Sequence, residues 1–210
     1  MICVIPARAG SKRLPGKNVK KLFGTPVIEH VVNICYESRL FDDICVSTDS
    51  MEIANTCSSE YDIRPERLRG DVSETDVIID FMERYRIDEI CRVYPFAALL
   101  TQKRLLNGIA LFEYGGGTVM ERTKYKHPIQ RAIKDNGEYN DFSSVMQRTQ
   151  DLPDMYHDAA TFMITTIDEL KKPLYHRDIR WIDVSGLECQ DVDDVEDWEM
   201  LKMKFVRLHT

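Results

Sequence analysis

Residues 2–18 read ICVIPARAGSKRLPGKN, an apolar run followed by a basic loop that contains two glycines. Its first part, Ile2 to Pro6, is a short apolar run rich in residues that favour β-strands, so it predicts a buried strand. Small residues in the loop that follows let backbone N–H groups approach an anion. Cations in the same loop neutralise that anion. The loop carries four of them: Arg8, Lys12, Arg13 and Lys17. The stretch therefore predicts a phosphate site at the end of a strand.

This loop is not the phosphate loop of P-loop kinases. That motif needs Gly-x-x-x-x-Gly-Lys followed by Ser or Thr. Here five residues separate Gly10 from Gly16, and Asn18 follows Lys17. The hydroxyl that would hold magnesium is missing, so the sequence excludes a P-loop NTPase. A solvated basic turn is the structural alternative to a phosphate site.

Strand and helix patterns alternate through the first half of the chain. Apolar runs predict two further strands, and apolar residues at helical spacing predict four helices. The predicted strands cover 44–47 and 90–94, and the predicted helices follow Pro26 and Ser73 and span 51–57 and 102–112. This alternation predicts an α/β fold in three layers, with a mostly parallel sheet wrapped by helices. Ligands of such sheets bind beyond the carboxyl ends of the strands.

The alternation stops after Gly117. From Thr118 to Tyr156 the sequence shows short strand-like pieces, a turn at 135–137 and no long helical pattern. We interpret 118–156 as a β-rich segment, inserted into a single domain of residues 1–210, that meets a partner subunit. The sheet is predicted to resume at 162–165, and a closing helix over 195–205.

Two acids stand just before the closing helix. In extended backbone Asp191 and Asp193 point to the same side, so both can bind one hard cation. Magnesium prefers one or two carboxylates together with water and substrate phosphates. The alternative is that these acids and Asp194 only complement the helix N-terminus. That reading is favoured for Asp194, and for the other two the pattern leaves both readings open.

Composition limits the class of protein. The 210 residues carry a formal net charge of −7, which does not favour nucleic acid or an anionic membrane as a partner. The apolar runs are too short to span a bilayer, and the first residues do not form a secretory signal. Six scattered cysteines without metal-binding spacing predict free thiols and a cytoplasmic location.

The chain resembles the acylneuraminate cytidylyltransferases, which make CMP-activated nonulosonic acids. Five segments carry the resemblance in the family's order: residues 5–18, Val46-Ser47-Thr48-Asp49, Arg64-Pro65-x-x-Leu68, residues 148–153 (RTQDLP) and Gln190-Asp191-Val192-Asp193. Residues 128–132 (PIQRA) and 156–159 (YHDA) are similar to the pseudaminic acid branch of that family.

The resemblance implies a Rossmann-like nucleotide-diphospho-sugar transferase fold, a homodimer and a Mg²⁺ cofactor. The implied reaction transfers CMP from CTP to an acidic nine-carbon sugar, pseudaminic acid. The resemblance also assigns roles. The nucleotide is assigned to Ala7, Arg8, Ala9, Gly10, Ser11, Lys17, Asn18 and Arg64. The metal is assigned to Asp191 and Asp193, the sugar to Arg148, Gln150 and Tyr156, and catalysis to Arg8, Lys17 and Asp193, with Asp193 accepting the proton.

Several positions depart from the family pattern. Ala9 and Ala160 stand where the family usually has glycine, Met163 replaces an aromatic residue, and residues 94–100 lack a second proline. Two alternatives follow from these departures. One is the same reaction on legionaminic, N-acetylneuraminic or 3-deoxy-octulosonic acid, and the other is a non-catalytic nucleotide-binding relative.

Overall fold

The computed structural model describes residues 1–209, which form a seven-stranded sheet covered by helices on both faces. The strands are β1 (Ile2–Ala7), β2 (Lys21–Leu22), β3 (Thr25–Pro26), β4 (Asp43–Thr48), β5 (Glu60–Ile63), β6 (Glu89–Val93), β7 (Thr118–Lys124), β8 (Tyr156–Thr166) and β9 (Ile179–Val184). The α-helices are α1 (Val27–Ser38), α2 (Met51–Ala54), α3 (Glu74–Tyr85), α4 (Gln102–Gly115), α5 (Ile167–Lys171) and α6 (Val195–His209).

The sheet is mostly parallel, as predicted. Its order is β5-β4-β1-β6-β8-β7-β9, and β2 and β3 form a separate two-stranded ribbon. Strand β1 lies parallel to both β4 and β6, β4 is parallel to β5, and β7 is parallel to β9. Within this seven-stranded sheet, β8 alone of the described strands runs antiparallel to both of its neighbours, β6 and β7.

Burial on both faces explains why the first apolar run forms a central strand. Cys3 and Ile5 pack on one face against α1 and α4, and Val4 packs on the other face against α3. Parallel strands covered by helices on both sides read as continuous apolar runs rather than as alternating ones. The loop after β1 therefore starts at the carboxyl edge of the sheet, between β4 and β6.

The predicted helices are confirmed, with small differences at their ends. The inner face of α1 carries five buried apolar residues at helical spacing: Val27, Ile28, Val31, Val32 and Cys35. Ser73 occupies the N-cap position of α3, but its side chain makes no capping hydrogen bond. Tyr85 has the right spacing for the inner face of α3, yet it is exposed because it lies in the last turn.

The prediction of a β-rich segment over 118–156 is wrong in its secondary structure. Residues 118–124 form β7, a strand of the main sheet, and 125–155 contain three short 3-10 helices and one isolated bridge, Ile133 to Tyr139. Polar side chains explain the difference, because Asp141 accepts hydrogen bonds from the backbone and hydroxyl of Ser143 and so competes with strand pairing. The turn at 135–137 is confirmed, with Gly137 at φ 85°.

Strands β5 and β9 lie at the two edges of the sheet. Within residues 1–209, no helix is long and apolar enough to cross a membrane.

Candidate active site

The two ends of the chain meet at the carboxyl edge of the sheet. Lys17 Nζ donates a 2.6 Å hydrogen bond to the backbone oxygen of Val192 and lies 3.5 Å from Asp193 Oδ1. Arg13 Nη2 lies 2.6 Å from Asp193 Oδ2. The predicted cationic loop and the predicted acids thus form one site, although they are separated by most of the chain.

A cavity of about 380 Å³ opens where these segments meet, and we call it the central cavity. It lies over the ends of β1 and β6. The predicted site residues in its wall are Arg8, Lys17, Asn18, Arg64, Asp191 and Asp193. A smaller cavity of about 270 Å³ adjoins it on the loop side and adds Ser11, Lys12 and Arg13. Six predicted residues from three segments of sequence therefore line one cavity.

Lys17 contacts an aromatic ring in addition to Val192 and Asp193. Its ammonium lies 4.4 Å from the centre of the Phe96 ring, within range of a cation–π contact. The side chain is 17% exposed, so the charge is only partly hydrated and acts strongly on any anion in the cavity.

Arg8 and Lys12 share one carboxylate at the mouth of the cavity. Asp71 Oδ1 lies 2.8 Å from Arg8 Nη1, and Asp71 Oδ2 lies 3.4 Å from Lys12 Nζ. These hydrogen bonds lower the pKa of Asp71. Because this carboxylate is exposed, it is a partner that a phosphate group can replace.

Asn18 and Arg64 supply buried polar groups to the central cavity. Asn18 is 4% exposed; its amide nitrogen donates to the backbone oxygen of Arg8 at 2.9 Å, and its Oδ1 has no hydrogen-bond partner within residues 1–209. Arg64 donates to the backbone oxygen of Ser47 at 2.8 Å. Burial lowers the pKa of its guanidinium, although the nearby carboxylates of Asp49 and Glu74 act to raise it. Both side chains are thus fixed before any ligand binds.

The loop after β1 is held by hydrogen bonds to Asp49, a residue to which no role was assigned from the sequence. Asp49 Oδ1 accepts from the backbone N–H of Ala9 at 2.9 Å, and Asp49 Oδ2 accepts from that of Gly70 at 3.3 Å. The only sequence signal was the match of residues 46–49 to a family segment. Ala9 is not among the residues with positive φ, so alanine fits there without backbone strain. Ala160, by contrast, has φ 51°.

Asp191 and Asp193 are fixed by the start of α6. Asp197 Oδ2 accepts from the backbone N–H groups of Asp193 and Asp194, at 3.0 and 3.3 Å. Asp194 Oδ1 in turn accepts from Asp197 N at 3.0 Å, which confirms its capping role. Desolvation raises the pKa of Asp191, and the nearby charge of Asp193 raises it further. Asp191 has no ion pair among the described residues.

The three predicted sugar residues do not line the central cavity. Arg148 is 73% exposed at its side chain and pairs with Asp151 at 2.7 Å, and Gln150 is exposed beside it. Tyr156 lies 4.0 Å under the guanidinium of Arg122 and borders a separate cavity of about 300 Å³. All three belong to 125–155 or its junction with β8, and none of them lines either cavity beside the loop after β1.

His157 and Trp198 make structural contacts. His157 Nδ1 lies 2.8 Å from the backbone oxygen of Asp158, and its ring packs on Tyr125. Trp198 is buried beside Leu201 in the core under α6.

The fold and this cleft are those of an enzyme that handles a nucleoside triphosphate. A family model described as cytidylyltransferase matches residues 2–135. The chain belongs to the cytidylyltransferase family, and it is a nucleotidyltransferase that uses CTP.

Two relatives and one solved structure illustrate which proteins this chain is similar to. Pseudaminic acid cytidylyltransferase of Campylobacter jejuni is 29% identical, over 97% of this chain and 95% of that protein. CMP-N,N'-diacetyllegionaminic acid synthase of Legionella pneumophila is 32% identical over 57% of this chain and 56% of its own length. The structure of CMP:2-keto-3-deoxy-manno-octonic acid synthetase complexed with CTP has a TM-score of 0.75 at 15% identity, covering 99% of this chain and 98% of that chain, which confirms the fold.

Proposed function

We propose that this protein transfers CMP from CTP to pseudaminic acid and releases pyrophosphate. One observation carries the proposal: cations near residue 17 and acids near residue 191 line the same cavity. The identity to a pseudaminic acid cytidylyltransferase over almost the full length of both chains supports this choice of sugar.

The triphosphate would lie along the loop after β1. Arg8, Ser11 and Lys17 would hold its oxygens, with Arg8 leaving Asp71 to pair with phosphate. An arginine binds two phosphate oxygens at once, whereas a lysine acts as a point charge. The backbone at Ala9 and Gly10 would complete this part of the site.

The nucleoside would lie deeper, beside the end of β1. Ala7 is buried there, and the unpartnered Oδ1 of Asn18 is an acceptor suited to an amino group such as that of cytosine. Arg64 would contribute a guanidinium that is already held by Ser47.

Asp191 and Asp193 fit a magnesium ion that is shared with substrate. The described residues hold no group of three or more metal-ligating side chains, but magnesium commonly takes one or two carboxylates and completes its shell with phosphates and water. The proximity of Asp193 raises the pKa of Asp191, and this repulsion is what a bound cation relieves. When bound, Mg²⁺ would neutralise charge on the transferred phosphate.

In the proposed reaction the anomeric hydroxyl of the sugar attacks the α-phosphorus of CTP. The new phosphorus–oxygen bond forms as the bond to the β-phosphate oxygen breaks, and pyrophosphate leaves. Lys17 and Arg8 would stabilise charge on the phosphates, and Asp193 is our candidate for taking the hydroxyl proton. Positioning and charge neutralisation supply most of the rate enhancement in such transfers.

A substrate panel tests the proposal. Purified protein, CTP and Mg²⁺ are mixed in turn with pseudaminic, legionaminic, N-acetylneuraminic and 3-deoxy-octulosonic acids. Mass spectrometry of the CMP-sugar and a pyrophosphate assay report the product. We expect the highest kcat/KM with pseudaminic acid. A higher value with legionaminic acid would favour the second candidate that the Legionella relative suggests. CTP binding without pyrophosphate release from any acid would identify a non-catalytic relative.

The proposal also covers the oligomeric state of the protein and its location in the cell. We propose a homodimer that uses 125–155, because this segment exposes Ile133, Phe142 and Met146, with Phe142 and Met146 more than 70% exposed. Light scattering during gel filtration would give the mass of the particle. A cytoplasmic location is supported by the six cysteines, which are all free thiols.

A further inference from the structure

The segment that carries the proposed metal-binding acids has no regular secondary structure. Residues 185–194 lie between β9 and α6 and form neither a strand nor a helix. Sheet or helix pairing therefore does not fix the positions of Asp191 and Asp193. Polar backbone groups in such a segment need partners from side chains or water, and these partners decide where the two carboxylates lie.

Lys204, on α6, holds this segment just before the first of the two acids. Its Nζ donates a 2.8 Å hydrogen bond to the backbone oxygen of Cys189 and a 2.6 Å hydrogen bond to Oε1 of Gln190. The side chain is half-buried, and an ammonium group can only donate. One side chain thus fixes both the backbone and a side chain immediately before Asp191.

Gln190 links Lys204 to the acids. Its amide nitrogen donates to the backbone oxygen of Asp191 at 2.7 Å and to Asp197 Oδ1 at 3.2 Å. The other oxygen of Asp197, Oδ2, accepts from the backbone N–H of Asp193 at 3.0 Å. An amide suits this place because its oxygen accepts from an ammonium while its nitrogen donates to a carboxylate. A continuous series of hydrogen bonds therefore runs from Lys204 to the backbone of both acids.

One face of α6 supplies both ends of this series. Asp197 and Lys204 are seven residues apart in sequence, about two helical turns, so they lie on the same side of the helix. Leu201 lies between them and is fully buried in the core. Packing of α6 on the core therefore sets the spacing of the carboxylate and the ammonium. The helix, rather than the irregular segment itself, determines where the acids lie.

Contacts of this kind affect a metal more than they affect a nucleotide. Side chains that hydrogen-bond to the groups around a metal orient its ligands, and Mg²⁺ demands near-ideal octahedral geometry. The loop after β1 would be unaffected by a shift of Asp191. Lys204 does not line the central cavity; it borders a different cavity, of about 370 Å³, whose wall also includes Asp191.

We propose that Lys204 is a positioning residue for the metal-binding acids, which holds the segment before Asp191 so that both carboxylates reach one Mg²⁺ ion. This inference rests on the proposed function, because it explains how the fold fixes the acids that the function requires. Lys204 contacts neither the metal nor the nucleotide. Its loss should therefore raise the Mg²⁺ requirement and leave metal-free binding of CTP unchanged.

The first test compares wild type with Lys204→Met, which removes the ammonium group and keeps a side chain of similar length. The Mg²⁺ concentration for half-maximal pyrophosphate release should rise about 10- to 100-fold. The Kd for CTP in EDTA, measured by calorimetry, should change less than about twofold, because the cations of the loop after β1 supply that binding. Lys202→Met is the matched control, since Lys202 lies on the same helix and pairs with Glu199 within it. It should leave both values unchanged.

Two further variants separate positioning from a general loss of stability. Lys204→Arg keeps the charge and the donors, so it should retain most of the wild-type response to Mg²⁺. Gln190→Met breaks the link to Asp197 while leaving the contact of Lys204 with Cys189, and it should also raise the Mg²⁺ requirement. The double variant should be little worse than the more affected single variant, because both changes interrupt the same series of hydrogen bonds. Fully additive effects would show that the two residues act independently, and the inference would be wrong.

A direct contact of Lys204 with substrate gives a different pattern. Lys204→Met would then raise KM for the sugar and leave the Mg²⁺ requirement at its wild-type value. That outcome would overturn the inference, and so would an equal weakening of metal-free CTP binding.

Failure of the proposed function is distinguishable, because wild type would then release no pyrophosphate with any sugar. Hydrogen exchange of the ligand-free protein still decides the inference in that case. Lys204→Met should speed exchange at the amides of Asp193 and Asp194, which donate to Asp197, and should leave the amides of α1 unchanged. Equal exchange at 193–194 in both proteins would contradict a positioning role.

Discussion

Lys17 connects the loop after β1 with the segment that precedes α6 through non-covalent contacts. It contacts Val192, Asp193 and the Phe96 ring at once, and it lines the central cavity. Lys17→Met should lower kcat/KM at least about 10²-fold, because removing one group that stabilises transition-state charge has that effect. Steady-state pyrophosphate release measures the change. Lys21→Met, at an exposed position of β2, should leave kcat/KM near its wild-type value.

We expect the acids that precede α6 to have separable roles. Asp191→Asn should abolish magnesium-dependent turnover, by at least about 10²-fold, while the melting temperature stays close to that of wild type. Asp194→Ala removes the cap on Asp197 N and should cost about 1 kcal/mol of stability while turnover is retained. Kinetics and thermal unfolding of both variants are compared. If turnover and thermal stability changed in the same way in both variants, the two acids would have the same role.

At the scale of elements, α4 packs closely on β8. A Cβ added at Gly108 would lie 2.7 Å from two ring carbons of Phe162, which is 1% exposed and has no space to move. Gly108→Ala should therefore lower the free energy of unfolding by about 1–2 kcal/mol, because overpacking exceeds the gain in helix propensity. Urea unfolding measures it. Asn107→Ala, at the exposed neighbouring position, should not be destabilising.

The contact between β5 and α3 depends on a buried carboxylate. Burial alone would raise the pKa of Asp62, but two hydrogen bonds from Arg84, at 2.7 and 2.8 Å, lower it below its ordinary value. Arg84→Met should cost about 2–3 kcal/mol at pH 7, since it leaves this charge unpaired. Lys134→Met, in an exposed pair with Glu138, should cost less than about 1 kcal/mol.

The same pair predicts a pH dependence with a definite sign. Because the folded pKa of Asp62 is lowered, the stability it contributes is complete above the unfolded pKa of about 3.9 and is lost as the pH falls through the folded value. The gap between wild type and Arg84→Met should therefore narrow below about pH 4. Urea midpoints from pH 7 to pH 3 test this. A gap that stays constant over that range would contradict the role of Asp62.

Elements with strong burial could be predicted from the sequence, and edge elements could not. The run Ile2–Pro6 and the spacing of Val27, Val31 and Cys35 indicate β1 and α1 because most apolar residues of these two elements are buried. Strand β9 escaped prediction because its inward residues are only partly covered and Trp181 is exposed. In 125–155, side-chain hydrogen bonds to the local backbone replace the strand pairing that the residue types favour.

Some residues of the candidate site could likewise be predicted from the sequence, and others could not. Lys17 and the acids Asp191 and Asp193 could be found because charge and small residues cluster along the chain. Asp49 could not, since its contact with the backbone of Ala9 depends on the register of β1 with β4. Pairings across the sheet set these contacts, and no local pattern encodes them.

For the whole molecule, ligand binding should act on global stability. The central cavity is built from both ends of the chain, so CTP with Mg²⁺, bound as proposed, should require the complete domain to be folded. At a ligand concentration 100 times Kd, stability should rise by about 2.7 kcal/mol, and Tm by about 5–11 °C for a domain of this size. Thermal unfolding with and without CTP and Mg²⁺ measures this. Lys17→Met should show a much smaller shift.

The distance along the chain between Lys17 and Asp193, 176 residues, also matters during synthesis. A nascent polypeptide carries the loop around Lys17 well before the acids Asp191 and Asp193 have been made. Because a chain emerges from the ribosome amino end first, the proposed roles of these acids imply no turnover of nucleotide until both have been made. On the same roles, a premature stop codon upstream of residue 191 should yield a fragment without catalytic activity, rather than a partly working enzyme.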